Sequence, residues 1–254
     1  MSAAELYAYD DRFFAVADRT AAASAERVVR ALLGAFKIGS VLDLGCGRGA
    51  WLACWAAHGV GDILGVDGPY VDVAKLHVSA AAFLARDLAA PLALGRRFDL
   101  VQSLEVAEHL AASAADCFVD SLVRHGSLIM FSAAIPGQGG EYHLNEQPWE
   151  YWRGKFAARG FELFDFVRPA VRGDRAVFFW YRHNAFLYAD RSVVAALPPA
   201  IRATHVPAGQ AIENRLPAWA RLRTALVRLL PRPAVDRLAR LKYRLACGVI
   251  ARSP

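Results

Sequence analysis

Apolar positions along the chain fall into short runs separated by stretches of helical period. In TAAASAERVVRALLGAF, Val28, Leu32, Ala35 and Phe36 share one face of a 3.6-residue helix. SVLDLGC then reads as a β-branched strand and GRGAWLACWAAHG as a glycine-led helix. DILGVD, AFLARDL, FDLVQSL and GSLIMFSAAI give four further strands, with helical segments such as 111–124 between them. Such alternation predicts parallel strands joined by right-handed crossovers. GFELFDFVRP and AVFFWYRHNAFLYA follow, separated by only VRGDR, a link that suits an antiparallel hairpin. The expected architecture is α/β: a doubly wound, mostly parallel sheet of seven strands with an antiparallel edge. After Asp190 the pattern changes. Prolines recur at 198, 199, 207, 217, 231 and 233, and Trp219, Leu222, Leu226, Leu229 and Leu230 repeat at helical spacing with arginines between. The predicted organisation is a domain over residues 1–190 and a basic, proline-containing helical extension over 191–254.

With 254 residues and 56% hydrophobic content, the chain can bury a sizeable core. No apolar run approaches the roughly eighteen residues of a membrane span. The early acids of MSAAELYAYDDRFF do not fit a signal peptide. Cys46, Cys54, Cys117 and Cys247 form no CxxC pair, which fits reduced thiols in the cytoplasm and suggests no zinc site. Charge is uneven. Residues 215–254 hold ten Lys or Arg against one acid, a balance of +9, whereas the other 214 carry about −3. A basic tail thus follows a mildly acidic body.

Asp43-Leu-Gly45-Cys-Gly47-Arg-Gly49 lies where the first strand meets its helix, and glycines there permit a tight turn and close ligand approach. A carboxylate at Asp43 repels a pyrophosphate and suits an ammonium group, which argues against a dinucleotide. Asp67 ends the next strand, where a carboxylate can accept both ribose hydroxyls. VLDLGCGRGAW, GVD, RDL at 86–88 and FDLVQSLEVAEHL, in that order, resemble the class I S-adenosylmethionine-dependent methyltransferases, with their Rossmann-like fold. The resemblance implies that Gly45, Gly47 and Gly49 lie under the methionyl part of S-adenosylmethionine. It also implies that Asp67 binds the ribose, and Asp87 with the Leu88 backbone the adenine.

FDLVQSL delivers Glu105 at its C-terminal tip. A helix starting there puts Glu108 and His109 on the same side, a half-shell for Mg²⁺ or Mn²⁺. His143, in the loop IPGQGGEYHLNEQ, can reach the same point. The set resembles the metal site of small-RNA 3′-terminal 2′-O-methyltransferases, and its E-x-x-E-H part that of ubiquinone-pathway catechol O-methyltransferases. That resemblance implies Glu105, Glu108, His109 and His143 as ligands. A cation would lower the pKa of a hydroxyl, leaving His109 or His143 to take its proton. The plain alternative is a packed histidine and solvated acids favoured by a helix dipole.

Asn145 and Glu146 are candidate substrate contacts, while Trp149, Trp152 and Phe156 fit the apolar face of a helix. The loop together with WYRHNAFLYA resembles bacterial methyltransferases of surface-glycan and glycosylated-metabolite pathways, which implies a sugar or glycan hydroxyl as acceptor. The expected activity is therefore metal-assisted O-methylation of a vicinal diol. RNA 3′-terminal 2′-O-methylation, catechol or quinol O-methylation and a non-catalytic cofactor-binding scaffold are the alternatives. The acidic body and the lack of a recognisable RNA-binding module speak against nucleic acid. Tyr7, Tyr9, Phe13 and Phe14 are expected as a lid or as packing. The basic tail is expected to dock on the body, with an anionic membrane surface at the cytoplasmic face as a further partner.

Overall fold

The computed structural model describes residues 11–250. A long helix, α1 (Asp11–Leu33), turns Ala25, Val28, Val29 and Leu32 inward at helical spacing. The sheet strands follow as β1 (Ser40–Leu44), β2 (Asp62–Asp67), β3 (Phe83–Ala85), β4 (Leu100–Leu104), β5 (Leu128–Ser132), β6 (Phe161–Phe164), β7 (Phe186–Asp190) and β8 (His205–Val206). Their spatial order is β3-β2-β1-β4-β5-β7-β6-β8. Pairing is parallel from β3 to β5, and β7 runs antiparallel between β5 and β6. The order reverses between β1 and β4, and a cleft opens there beyond the strand ends.

Apolar side chains cover both faces, as a parallel sheet requires. On one face α1 and α2 (Ala50–Ala57) bring Val28, Leu32, Trp51 and Trp55 against Val41 and Leu100. On the other, α3 (Ala115–His125) and α4 (Trp149–Ala157) bring Phe118, Leu122, Trp152 and Phe156 against Leu42 and Val101. Trp152 and Phe156 are thus core residues, and Phe156 stacks on Tyr188 with centroids 4.0 Å apart. Among the described residues, no helix is long and apolar enough to cross a membrane.

Three sequence expectations are corrected. The link between β6 and β7 is not the short VRGDR turn: it contains α5 (Val167–Ala170) and α6 (Phe179–Asn184), and only FLYAD is strand. The aromatic run FFWYRHN matches a strand in composition, but Trp180, Tyr181 and Asn184 are buried along one side of a helix. No α-helix starts at Glu105; a single 3₁₀ turn covers Ala107–His109 and α3 begins only at Ala115. Beyond Asp190 the chain continues along the body. After α7 (Arg191–Val194) and α8 (Pro199–Arg202), β8 adds an eighth strand beside β6, and Ile201, Ile212 and Leu216 are buried. The basic helices α9 (Ala218–Val227) and α10 (Arg232–Ile250) then fold back, α10 packing against α1.

Candidate functional site

The strand tips at the β1–β4 reversal open into a cavity of about 440 Å³. Asp43, Gly45, Gly47, Asp67, Asp87 and Leu88 line one part of it; Gly49 caps α2 just behind. The turn after β1 is possible because Gly45 takes φ 89°, and a Cβ there would meet Val106 Cγ2 at 2.3 Å. Asp67 is buried, its Oδ2 accepting from Gly47 N at 2.6 Å and its Oδ1 from Gly68 N at 2.7 Å and Tyr70 Oη at 2.6 Å. Burial still pushes its carboxyl upward. Asp87 is exposed at the rim, its Oδ1 accepting from Ala89 N at 2.9 Å.

Asp43 is more isolated. Its Oδ2 accepts from Gln102 Nε2 at 2.9 Å, and Gln102 Oε1 accepts from Trp55 Nε1 at 2.9 Å. Burial raises its pKa to about 7, opposed by the Gln102 hydrogen bond and assisted by the charge of Asp67. A buried carboxylate with one neutral partner is poised for a cation.

The other part of the cavity holds the acids and histidines. Glu108, His109 and His143 each present one ligand atom within 4.8 Å of the others. They meet because Glu108 O accepts from Leu144 N at 2.7 Å and Asn145 N at 2.9 Å, stitching the 135–146 loop to the tip of β4. His109 and His143 stand edge to face with centroids 4.9 Å apart. Burial, then the charge of His143, pushes His109 down to about 3, so its ring is neutral near neutral pH. His143 Nδ1 lies 2.8 Å from Glu146 Oε1, and a Cβ on Gly140 would lie 2.0 Å from His143 Nε2. Glu108 is 1% exposed, and its carboxylate oxygens make no well-formed hydrogen bond among the described residues, with the backbone amides of Glu108 and Ala134 near enough only to oppose the rise of its pKa. Burial and then Glu105 push its pKa well up. Such a carboxylate beside two imidazoles fits a divalent cation, which would supply a well-formed partner.

Glu105 stands apart from that trio. It takes φ 57°, and its carboxylate accepts from Gln138 Nε2 and from Asn184 Nδ2, the latter at 3.2 Å. Burial raises its pKa against those hydrogen bonds. Glu146 and Asn145 lie behind the wall: Glu146 accepts from Gly137 N and Gly139 N, both at 2.7 Å, and Asn145 Oδ1 accepts from Gln147 Nε2 at 2.8 Å. Phe13 and Phe14 line the cavity, Phe14 beneath the Arg48 guanidinium at 4.6 Å; Tyr7 and Tyr9 lie outside the described residues. Gln138 and Asn184 escaped the sequence reading because each comes from a segment far from Glu105 in the chain. Gln102 had a signal: it is the polar residue inside the apolar run FDLVQSL.

A family profile described as a methyltransferase domain matches residues 15–165. The chain belongs to that family and is an S-adenosylmethionine-dependent methyltransferase. No curated protein matches the sequence. Among solved structures, the sugar N-methyltransferase KedS8 from Streptoalloteichus sp. ATCC 53650 is similar, with TM-score 0.52 and 20% identity over 75% of this chain and 99% of that one. Streptomyces venezuelae DesVI gives 0.51 and 16% over 75% and 99%. The magnesium protoporphyrin IX methyltransferase ChlM from Synechocystis PCC 6803 gives 0.51 and 18% over 70% and 87%. At these identities the likeness is one of fold.

Proposed function

We propose that the protein transfers a methyl group from S-adenosylmethionine to one hydroxyl of a vicinal diol on a sugar or glycan, assisted by a divalent cation. The observation that carries this reading is the buried carboxylate of Glu108, without a well-formed hydrogen bond, beside His109 and His143. One carboxylate and two imidazoles suit Mn²⁺ better than Mg²⁺, which prefers an all-oxygen shell. When bound, such a cation lowers the pKa of a hydroxyl and orients its neighbour.

The chain's own residues do the rest. Asp43, once ionised, receives the ammonium of the donor, Asp67 its ribose, and Asp87 with Leu88 its adenine edge. Glu146 fixes which nitrogen of His143 carries the proton, leaving the other with its lone pair. Glu105, oriented by Gln138 and Asn184 and raised in pKa by burial, is placed to take the hydroxyl proton. The oxygen lone pair forms the new O–C bond, the S–C bond pair stays on sulfur as a thioether, and the proton ends on Glu105. Trp180 and Tyr142 give the cavity flat apolar faces beside these polar groups, the mixture a sugar ring presents in reverse.

The test is transfer of labelled methyl to glycans, amino sugars, RNA and catechols, with Mn²⁺ and after EDTA. Label in an ether on a glycan, lost with EDTA and with Glu108→Gln, is the expected result. Label on an amino nitrogen, or transfer indifferent to both treatments, overturns the O-methylation or the metal reading respectively.

A further inference from the structure

Helix α9 is apolar on two opposite sides. One side is spent on the body: Ala220 and Thr224 are buried, Thr224 O faces Gly137, and Val227 lies against Gly139. The other side projects Trp219, Leu222 and Leu226, which are 60%, 63% and 57% exposed, with Leu229, 80% exposed, just past its end; Trp219 also leans on the Phe179 ring, centroids 5.0 Å apart. Leu230, in the turn that follows, and Leu238 and Leu241 of α10 are exposed as well. Single exposed leucines are ordinary, but seven large exposed apolar side chains within residues 219–241 mark an interaction surface.

The arginines of the same helices divide into two groups. Arg223, Arg228 and Arg232 donate to the carbonyls of Gln138, Pro136 and Leu144 and so clamp the helices to the 135–146 loop. Arg221 and Arg237 are exposed, and their side chains make no hydrogen bond or ion pair among the described residues. Leucines with a tryptophan at one end, flanked by uncompensated cations in a segment of net charge +9, match an anionic bilayer in both polarity and charge. A second copy would bring like charges together, and a nucleic acid would leave the leucines in water.

We propose that this outer face of α9 and α10 docks on anionic phospholipid, with the leucines entering the headgroup boundary and Arg221 and Arg237 on lipid phosphates. The two helices are then held between bilayer and catalytic body, with the loop carrying His143 on their inner side. The docking is independent of which acceptor is methylated.

The test is co-sedimentation of the full chain with vesicles of phosphatidylcholine alone and mixed with phosphatidylglycerol. Binding to the mixed vesicles only, weakening steeply with salt, is expected. The pair Leu222→Glu and Leu226→Glu should weaken it by roughly a hundredfold, about tenfold per leucine. Calorimetric binding of S-adenosylmethionine reports that the variants are folded. Brominated lipid should quench the wild-type fluorescence through Trp219, and Trp219→Phe should remove that quenching. Absence of binding to mixed vesicles, indifference to the leucine pair, RNA binding in its place, or a dimer that the leucine pair dissolves would each overturn the proposal.

Discussion

Asp43 sits, with one hydrogen bond, in a buried site that disfavours its charge, and that sets a pH dependence of definite sign. Its pKa is raised from 3.8 to about 7, so the folded protein retains a proton that the unfolded chain gives up earlier. The stability linked to that proton is complete below the unfolded pKa and is lost as pH rises through about 7, at most about 4 kcal/mol. Thermal melts of the ligand-free protein should show this decline, and Asp43→Asn should flatten it. Donor binding should run the other way, tightening between about pH 6 and about pH 8 as Asp43 ionises, and the same substitution should erase the trend in calorimetry. Glu108 and Glu105 separate by variant. Glu108→Gln should abolish Mn²⁺ binding without lowering the melting temperature, because it removes a buried carboxylate that makes no well-formed hydrogen bond. Glu105→Gln should leave Mn²⁺ affinity within a few-fold and lower kcat about 10²–10⁴-fold. Sequence alone put both acids in one ligand set; their difference depends on Gln138 and Asn184, which lie 33 and 79 residues from Glu105.

At the scale of elements, the strands that carry the site were legible because apolar runs ending in Asp or Glu have few other uses. β2 ends in Asp67, β1 ends one residue after Asp43 and β4 one residue before Glu105. The α6 segment was not legible, since a run of aromatics satisfies strand composition and helical burial alike. Nor was the 3₁₀ turn at Ala107–His109, which the E-x-x-E-H spacing disguises as a helical start. Tight junctions give a direct check. Gly45→Ala combines a left-handed φ with a clash against Val106 and should cost about 2–4 kcal/mol in urea unfolding. Gly95→Ala, with φ 69° and open space, should cost only about 1 kcal/mol. At Gly137 a Cβ would lie 2.1 Å from Thr224 O, so Gly137→Ala should loosen α9 and speed amide exchange over 218–227.

Over the whole molecule, charge asymmetry was plain in the sequence, and the docked position of α9 and α10 answers where the basic tail goes. What the sequence hid was the partition of its arginines, because a guanidinium that reaches a loop carbonyl looks the same in sequence as one that meets solvent. The cavity is closed from both directions of the chain: Phe13 and Phe14 of α1 and Lys242 of α10 all line it, and α1 packs on α10. Donor binding should therefore slow amide exchange in the first turns of α1 and in the 135–146 loop together. This pairing also orders events during synthesis. α1 ends at Leu33 and α10 begins at Arg232, so at about 5–20 residues per second a nascent α1 waits on the order of ten to forty seconds for its partner. For that interval the sheet can form on the ribosome while the cofactor cavity lacks a wall, and a competent enzyme exists only once the last helices have been released.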